Sequence, residues 1–543
     1  MFASKNSLQG TLLVGSILTT LIIVPFSYDP ISAPKLFTLV SLATICLVML
    51  VSLSGKRVVK EIDFLDKLMI VFVLLLIFVL CVNQSAWTER IFGIAGRSTG
   101  FLTFLAFTVI LFVSRRSILS LSSFYASISI TNFFVSLYFF TQYLGFDIGS
   151  FQEYYAAPSS TLGNPNFVSG FIGFSCLAIF GAVGSISRNK RLVLVIPYLL
   201  LSLWVIYESD SVQGFVAFGL TSSILIFYWL YVNFSIKAFV SVFVLSLAPS
   251  SIAILGFFGF GPLSSLLSST TVFSRLDYWR AAVAMTFDRP LFGQGFDAFG
   301  DNYRRFRDGQ AFARFGESQV SDSAHNVFLD VFVNGGIPLG TLFIFLNLLP
   351  VVLLFKQIKV NHAVTRDQVI LLSLWSGFQV QALVSPNQIG VSIWIWLILG
   401  AMAKKRELDS EKKEDLSKVI RIGKNATLST LIVFIFSLIS FLPLRANIDF
   451  LDRGKGADGL GLKQIALRFP QDSKLIGLVA LGFQNSNFPG ESLAILKEGV
   501  VHNPESFTLW RLIYENPEAT VKDKSKAKSE MLRLEPRMIF PNS

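Results

Sequence analysis

The sequence predicts an all-α, polytopic membrane protein of about 13 transmembrane helices, with one large outward loop and a small helical tail. Hydrophobic residues make up 52% of the 543-residue chain and charged residues only 15%, with a mean hydropathy of +0.61. No water-soluble core requires that balance. Apolar runs of about 17 to 25 residues recur, each long enough to cross the hydrocarbon layer as a helix. Helices suit that setting because they satisfy every backbone polar group internally.

Thirteen spans are predicted, near 10–26, 35–53, 65–84, 99–113, 119–144, 166–185, 192–207, 214–232, 238–258, 327–355, 367–384, 388–403 and 425–444. The first reads as an uncleaved helix: Val24-Pro-Phe-Ser-Tyr28 offers no small-x-small cleavage site, and the second span follows closely.

The formal charge of +11 raises the question of nucleic acid, and its distribution answers it. Basic residues cluster in alternate loops, at Lys56, Arg57 and Lys60; Arg115 and Arg116; Arg188, Lys190 and Arg191; Lys356, Lys359 and Arg366; and from Lys404 to Lys424. Those loops are cytoplasmic by the positive-inside rule, so basicity reports topology and no nucleic-acid partner is expected. The opposite loops carry almost no positive charge, with Lys35, Arg90 and Arg97 as exceptions. A cytoplasmic N-terminus and an odd number of spans leave the C-terminal segment outside. Cys46, Cys81 and Cys176 sit in or beside apolar spans, with no metal spacing and no disulfide framework.

Chemistry is expected on the outer side, in Asn83–Thr99, Gly145–Asn166, Glu208–Gln213 and the long loop 259–325. The long loop holds Arg275, Arg280, Arg289, Arg304, Arg305, Arg307 and Arg314 but no lysine. Arginine's planar fork suits bidentate binding of phosphate. The loop also holds Asp277, Asp288, Asp297, Asp301, Asp308, Glu317 and Asp322, so most of its arginines are expected to be ion-paired. The pattern in Arg275–Met285 is helical, which predicts helices lying on the membrane surface. His325 closes the loop, and a neutral imidazole there could take a proton from a hydroxyl; the alternative is an interfacial or capping histidine.

Other signals are weaker. Gly293-Gln-Gly295 is too short for a nucleotide loop. Glu208 and Asp210 read as a solvated helix end before they read as a metal site, and no metal or cofactor is expected. Asn164-Pro165-Asn166 is a turn whose amides orient sugar hydroxyls or cap a helix. In the tail, Pro470, Pro504 and Pro536 lie 34 and 32 residues apart, the period of tetratricopeptide-type helical hairpins, so 445–543 is read as an extracytoplasmic helical-repeat domain following the membrane domain 1–444, the alternative being an ordinary helical cap.

Four segments together resemble the bacterial O-antigen ligase and polymerase superfamily, which includes protein O-oligosaccharyltransferases. They are Leu162-Gly-Asn-Pro-Asn-Phe167, Ser274-Arg-Leu-Asp-Tyr-Trp279, Arg289-Pro-Leu-Phe-Gly-Gln-Gly-Phe296, and His325-Asn-Val-Phe-Leu329 followed by Asn334-Gly-Gly-Ile-Pro-Leu-Gly340. The resemblance implies a GT-C-like, metal-independent, inverting glycosyltransferase of the bacterial inner membrane. Such an enzyme moves a glycan from a polyprenyl diphosphate carrier to a hydroxyl of a glycan, lipid or protein acceptor. Carried over by position, Arg275 is the diphosphate ligand and His325 the base, with Arg280, Arg304 and Arg97 as second choices and the amides Asn164, Asn166 and Asn326 as further substrate-binding residues. One departure stands out: many members carry Arg-Gly where this chain has Gln213-Gly214. The competing readings are a non-catalytic transporter or flippase of lipid-linked glycans, and a scaffold whose helical tail recruits a protein partner. Ionisable residues deep in the spans, which ion-coupled transport needs, are nearly absent.

Overall fold

The computed structural model describes residues 4–54, 62–83, 85–118, 120–148, 157–184, 186–235, 237, 240–241, 261, 270–316, 320–404, 423–538 and 540. Among them the secondary structure is helical throughout, with no strand. In chain order the helices are α1 (Lys5–Leu21), α2 (Ser32–Ser54), α3 (Phe64–Val82), α4 (Trp87–Phe92), α5 (Phe101–Ser117), α6 (Leu121–Tyr143), α7 (Pro165–Ser175, continued through a 3-10 turn to Ala182), α8 (Arg188–Glu208) and α9 (Val212–Asn233). The outer loop supplies α10 (Thr270–Asp288), α11 (Phe299–Phe306) and α12 (Gly309–Phe315). Then come α13 (Val327–Asn361), α14 (Arg366–Val384), α15 (Ile389–Met402) and α16 (Gly423–Lys455). The tail adds α17 (Gly459–Leu467), α18 (Ser473–Asn485), α19 (Pro489–His502), α20 (Phe507–Glu515) and α21 (Val521–Leu534).

Among the described residues eight helices are long and apolar enough to cross a membrane: α2, α3, α6, α7, α8, α9, α13 and α16. Their outer faces carry Leu74, Phe78, Phe133, Phe134, Val193, Leu200, Phe215 and Trp229 exposed. So much unpartnered apolar surface suits lipid, not water. Four more predicted spans coincide with α1, α5, α14 and α15, which fall short of those length and hydropathy limits. The thirteenth, 238–258, falls almost wholly outside the described residues. At the other end of the bundle sequence, α16 runs to Lys455, past the predicted end at 444, because loss of apolar pattern marks the edge of lipid and not the end of a helix.

Inside the bundle, small polar groups tie helices together. Asn132 on α6 donates to Ser175 on α7 (2.8 Å) and accepts from Ser202 on α8 (3.1 Å). Trp394 on α15 donates to Thr20 on α1 (2.9 Å), whose hydroxyl reaches the Gly390 carbonyl (2.7 Å). Such bonds add cohesion where lipid supplies no hydrophobic driving force between helices.

The two ends of the bundle differ in charge. At the basic end Arg115 and Arg116 grip Asp63 and Asp66, and Arg115 also reaches the Ala403 carbonyl. At the opposite end, two of the three exceptional basic residues turn out to be helix caps. Lys35 is fully buried and donates to the carbonyls of Thr19, Thr20 and Ile22, closing the C-terminus of α1. Arg90 closes α3 through the carbonyls of Leu80 and Asn83. A cation at a helix C-terminus answers both the orphan carbonyls and the macrodipole. Arg97 alone remains to be explained.

The outer loop is locked to α13 backbone to backbone. Gly335 and Gly336 leave helical geometry, and across that break Gln294 N donates to Val333 O (2.7 Å), Gly295 N to Asn334 O (3.1 Å) and Ile337 N to Pro290 O (2.7 Å). Gly336 has φ +72°, and a Cβ there would lie 2.4 Å from the Pro290 carbonyl. Two of the family-like segments thus form one interlocked joint.

The tail forms its own core around Ile476, Leu496, Leu509 and Trp510. It joins the outer loop through Glu535, which pairs with Arg307 at 2.5 Å, the two side chains 0% and 1% exposed. Removing one partner of a buried pair costs about 3–5 kcal/mol by leaving a charge uncompensated. Glu535→Ala is therefore expected to loosen the tail from the loop, read as loss of amide-exchange protection in residues 299–306 and 521–534.

Candidate functional site

A cavity of about 580 Å³ opens at the end of the bundle opposite Arg115 and Arg116, where six separate stretches of chain converge. The turn after α1 supplies Asp29 and the turn before α5 supplies Arg97. The start of α7 gives Asn164 and Asn166, and α10 gives Ser274, Arg275 and Tyr278. Asp322 and His325 come from the approach to α13, and Ser385, Asn387 and Gln388 from the turn between α14 and α15. Five of the eight residues singled out from sequence meet here: Arg97, Asn164, Asn166, Arg275 and His325.

Arg97 sits on the turn 93–99, whose backbone N–H groups are caught by carboxylates from three distant segments. Asp297 accepts from Ile94 N and Thr99 N (both 3.1 Å) and from the Thr99 hydroxyl (2.5 Å). Asp29 accepts from Gly96 N (3.2 Å) while also capping α2 through Ser32 N (2.8 Å) and Ala33 N (3.1 Å). Asp472, in the tail, accepts from Ala95 N (3.2 Å). Burial pushes the carboxyls of Asp29 and Asp297 upward, and the N–H groups oppose that. The Arg97 guanidinium then donates to Asp322 (3.1 Å). Asp322, Asp330 and Asp297 outweigh burial and hold its charge firmly, with its pKa above the usual arginine value.

His325 adopts φ +49°, which few non-glycine residues do. Its N–H is held by the Ser323 hydroxyl (3.1 Å), and Ala324 N donates to Asp330 at 2.7 Å. The ring stacks on Tyr278 of α10, with centroids 5.6 Å apart. Asn326 immediately follows and caps α13 through Phe328 N and Leu329 N. The histidine is thus displayed on a rigid corner. Burial, then Arg97, and to a smaller degree Arg275, depress the imidazole to about 4, while Asp322 pulls the other way.

Arg275 faces the cavity with no carboxylate paired to it among the described residues. Burial lowers its pKa. Its neighbours in sequence behave differently. Arg280 pairs with Asp277 and Asp308, Arg289 and Arg305 with Asp288, and Arg304 and Arg307 with Glu535. The side chain of Arg314 lies outside the described residues. The expected pairing within the loop is seen for Arg280, Arg289 and Arg305, and Arg304 and Arg307 take a partner from the tail, Glu535, that local charge counting could not supply.

Arg280, Arg304 and Asn326 lie outside this cavity lining. Asn326 lines an apolar crevice between α13 and α14 instead. Gln213 stands behind the cavity wall, donating to the Asn166 carbonyl and accepting from the Ser385 hydroxyl (2.8 Å). Asp29, Asp322, Tyr278, Asn387 and Gln388 were missed in sequence. Only Asp322 and Tyr278 carried a signal, by lying inside or beside the family-like segments.

Residues 176–344 match the O-antigen ligase family. That match supports the O-antigen ligase-like superfamily and spans Arg275, His325 and the joint at Gly336, while Arg97, Asn164 and Asn166 precede it. No curated protein matches the chain.

Gly93 has φ +89°, and a Cβ there would meet Thr99 N at 2.3 Å and the Asp297 carboxylate at 2.4 Å. Gly93→Ala is expected to push the turn off Asp297 and displace Arg97, measured as faster amide exchange at 94–99 with the protein otherwise folded.

Proposed function

From a chain whose central third carries the O-antigen ligase match, we propose a glycosyltransferase that moves a glycan from a polyprenyl diphosphate carrier to an acceptor hydroxyl on the outer face of the bacterial inner membrane. The observation that carries this reading is one cavity lined by Arg275, which has no carboxylate partner among the described residues, by Arg97 and by His325. Topology supports the side assigned to it. With the basic loops inside, the cavity and tail lie outside, and thirteen crossings fit a chain that leaves α9 beside Val364 at the basic end and resumes at α10 on the cavity end.

In the proposed reaction the acceptor oxygen attacks the anomeric carbon as the carbon–oxygen bond to the diphosphate breaks. The acceptor's proton passes to His325, and the lipid diphosphate leaves with its electron pair and inverts the sugar centre. Arg275 and Arg97 neutralise the charge developing on the leaving oxygens, the task that positioned donors perform in a partly desolvated site. The opposite wall presents Asn164, Asn166, Asn387 and Gln388, uncharged amides suited to sugar hydroxyls.

The electrostatics impose an order on these events. An imidazole at about 4 is a poor base, and the two arginines help to keep it so. A diphosphate bound between them screens that repulsion and raises the histidine, so base strength rises once the donor is in place. The protonated form is inactive, so rate falls as pH drops through the histidine's pKa. The acidic limb of kcat/KM for the donor is expected near pH 4 and that of kcat at higher pH; coincident limbs would count against the coupling.

With purified protein and a polyprenyl diphosphate oligosaccharide, His325→Ala is expected to lower transfer about 10²–10⁴-fold and Arg275→Ala about 10²–10³-fold. Arg280→Ala, which removes an exposed ion-paired group, should stay within a few-fold of wild type. Full activity in both cavity variants would remove the assigned roles.

A further inference from the structure

The tail reaches the site at one place, and the contact is polar and specific. At the N-terminus of α18 the two oxygens of Asp472 divide their work: Oδ1 caps the helix through Lys474 N (2.9 Å) and Leu475 N (3.1 Å), while Oδ2 accepts from Ala95 N (3.2 Å). Two residues on, Lys474 Nζ donates to Ala95 O (3.2 Å). Beside them Thr88 donates to the Gln471 carbonyl (2.6 Å), and Phe92 packs against Phe469 with ring centroids 5.8 Å apart. Ala95 is two residues from Arg97. The tail thus holds both polar groups of a residue in the turn that aims a cavity cation.

We propose that the tail is a working part of the transfer site, with Asp472 and Lys474 as positioning residues that clamp Ala95 and so fix Arg97 toward the donor diphosphate. The proposal rests on the cavity's reading as a diphosphate site for its consequence, but not for the clamp itself. A recruiting tail needs no such grip: it would tolerate any orientation, whereas here a helix cap and a turn in a different part of the chain share one carboxylate. The cation and the carboxylate also match the two ends of the Ala95 backbone, N–H to oxygen and C=O to ammonium, which gives the contact a defined register.

The division of labour within Asp472 supplies the test, made on the full-length protein in nanodiscs. Asparagine caps helices about as well as aspartate but has one acceptor oxygen, so Asp472→Asn keeps α18 and loses the bond to Ala95. Amide exchange at 94–97 is expected to rise about 10-fold, as for loss of one charged hydrogen bond, with exchange in 475–485 unchanged. Lys474→Met, which carries no cap, should raise exchange at the same amides. Binding of inorganic pyrophosphate should weaken several-fold in Asp472→Asn, and the effect should vanish in an Arg97→Ala background. Unchanged exchange at 94–97 in both variants overturns the clamp, as does an equal loss of pyrophosphate binding with Arg97 already removed. Failure of the wild-type protein to bind pyrophosphate or a lipid diphosphate would instead count against the diphosphate reading, while the exchange result still decides the clamp.

Discussion

The arrangement of the cavity end of the bundle depends on the capture of one short turn by three carboxylates. Between Ile94 and Thr99, four backbone N–H groups, that of Thr99 buried and the others partly so, are taken by Asp29, Asp297 and Asp472. The three acids come from the turn after α1, the long loop and the tail. Their convergence fastens all three to the same point. Each carboxylate is held in turn: Asp29 also caps α2, Asp472 also caps α18, and Asp297 follows directly on the segment interlocked with α13.

That fixed turn makes the cavity's electrostatics intelligible. A guanidinium and an imidazole in a partly desolvated space repel one another's charge, and the protein settles the conflict by keeping the arginine charged and the histidine neutral. Asp322 mediates between them, ion-paired to Arg97 and attracting a proton toward His325. The cavity therefore holds cationic charge and, at its histidine, little basicity. On the proposed reading, substrate binding itself redresses that imbalance, so an unloaded site does little with a stray hydroxyl.

Much of this was legible in sequence, in proportion to how local the determining physics is. Membrane character follows from apolar length, and the basic end of the bundle from loop charge, which are properties of contiguous residues. Arg275 and His325 could be singled out because each lies in a short segment with its own pattern. Lys35, Arg90 and Arg97 looked alike as out-of-place cations. Only the structure separates the two that close helix C-termini from the one that faces a cavity, since a cap is defined by carbonyls the sequence does not aim. Glu535 and Asp472 were illegible for a stronger reason: their partners lie 228 and 377 residues away, and nothing in either neighbourhood marks a long-range bond.

Gln213 shows how the same logic resolves an apparent deficit. Where the family resemblance leads us to expect an arginine, this chain has a residue with one donor end and one acceptor end, and both are used: the amide donates to the Asn166 carbonyl and the oxygen accepts from Ser385. A guanidinium has donors only and could not receive the Ser385 hydroxyl. Position 213 here joins α7 to the turn that carries Asn387 and Gln388, and so builds the amide wall of the cavity instead of charging it. On the proposed reading, the second cation that a diphosphate calls for then has to come from elsewhere. The residue that faces the same space as Arg275 is Arg97, on a turn that three carboxylates hold in place.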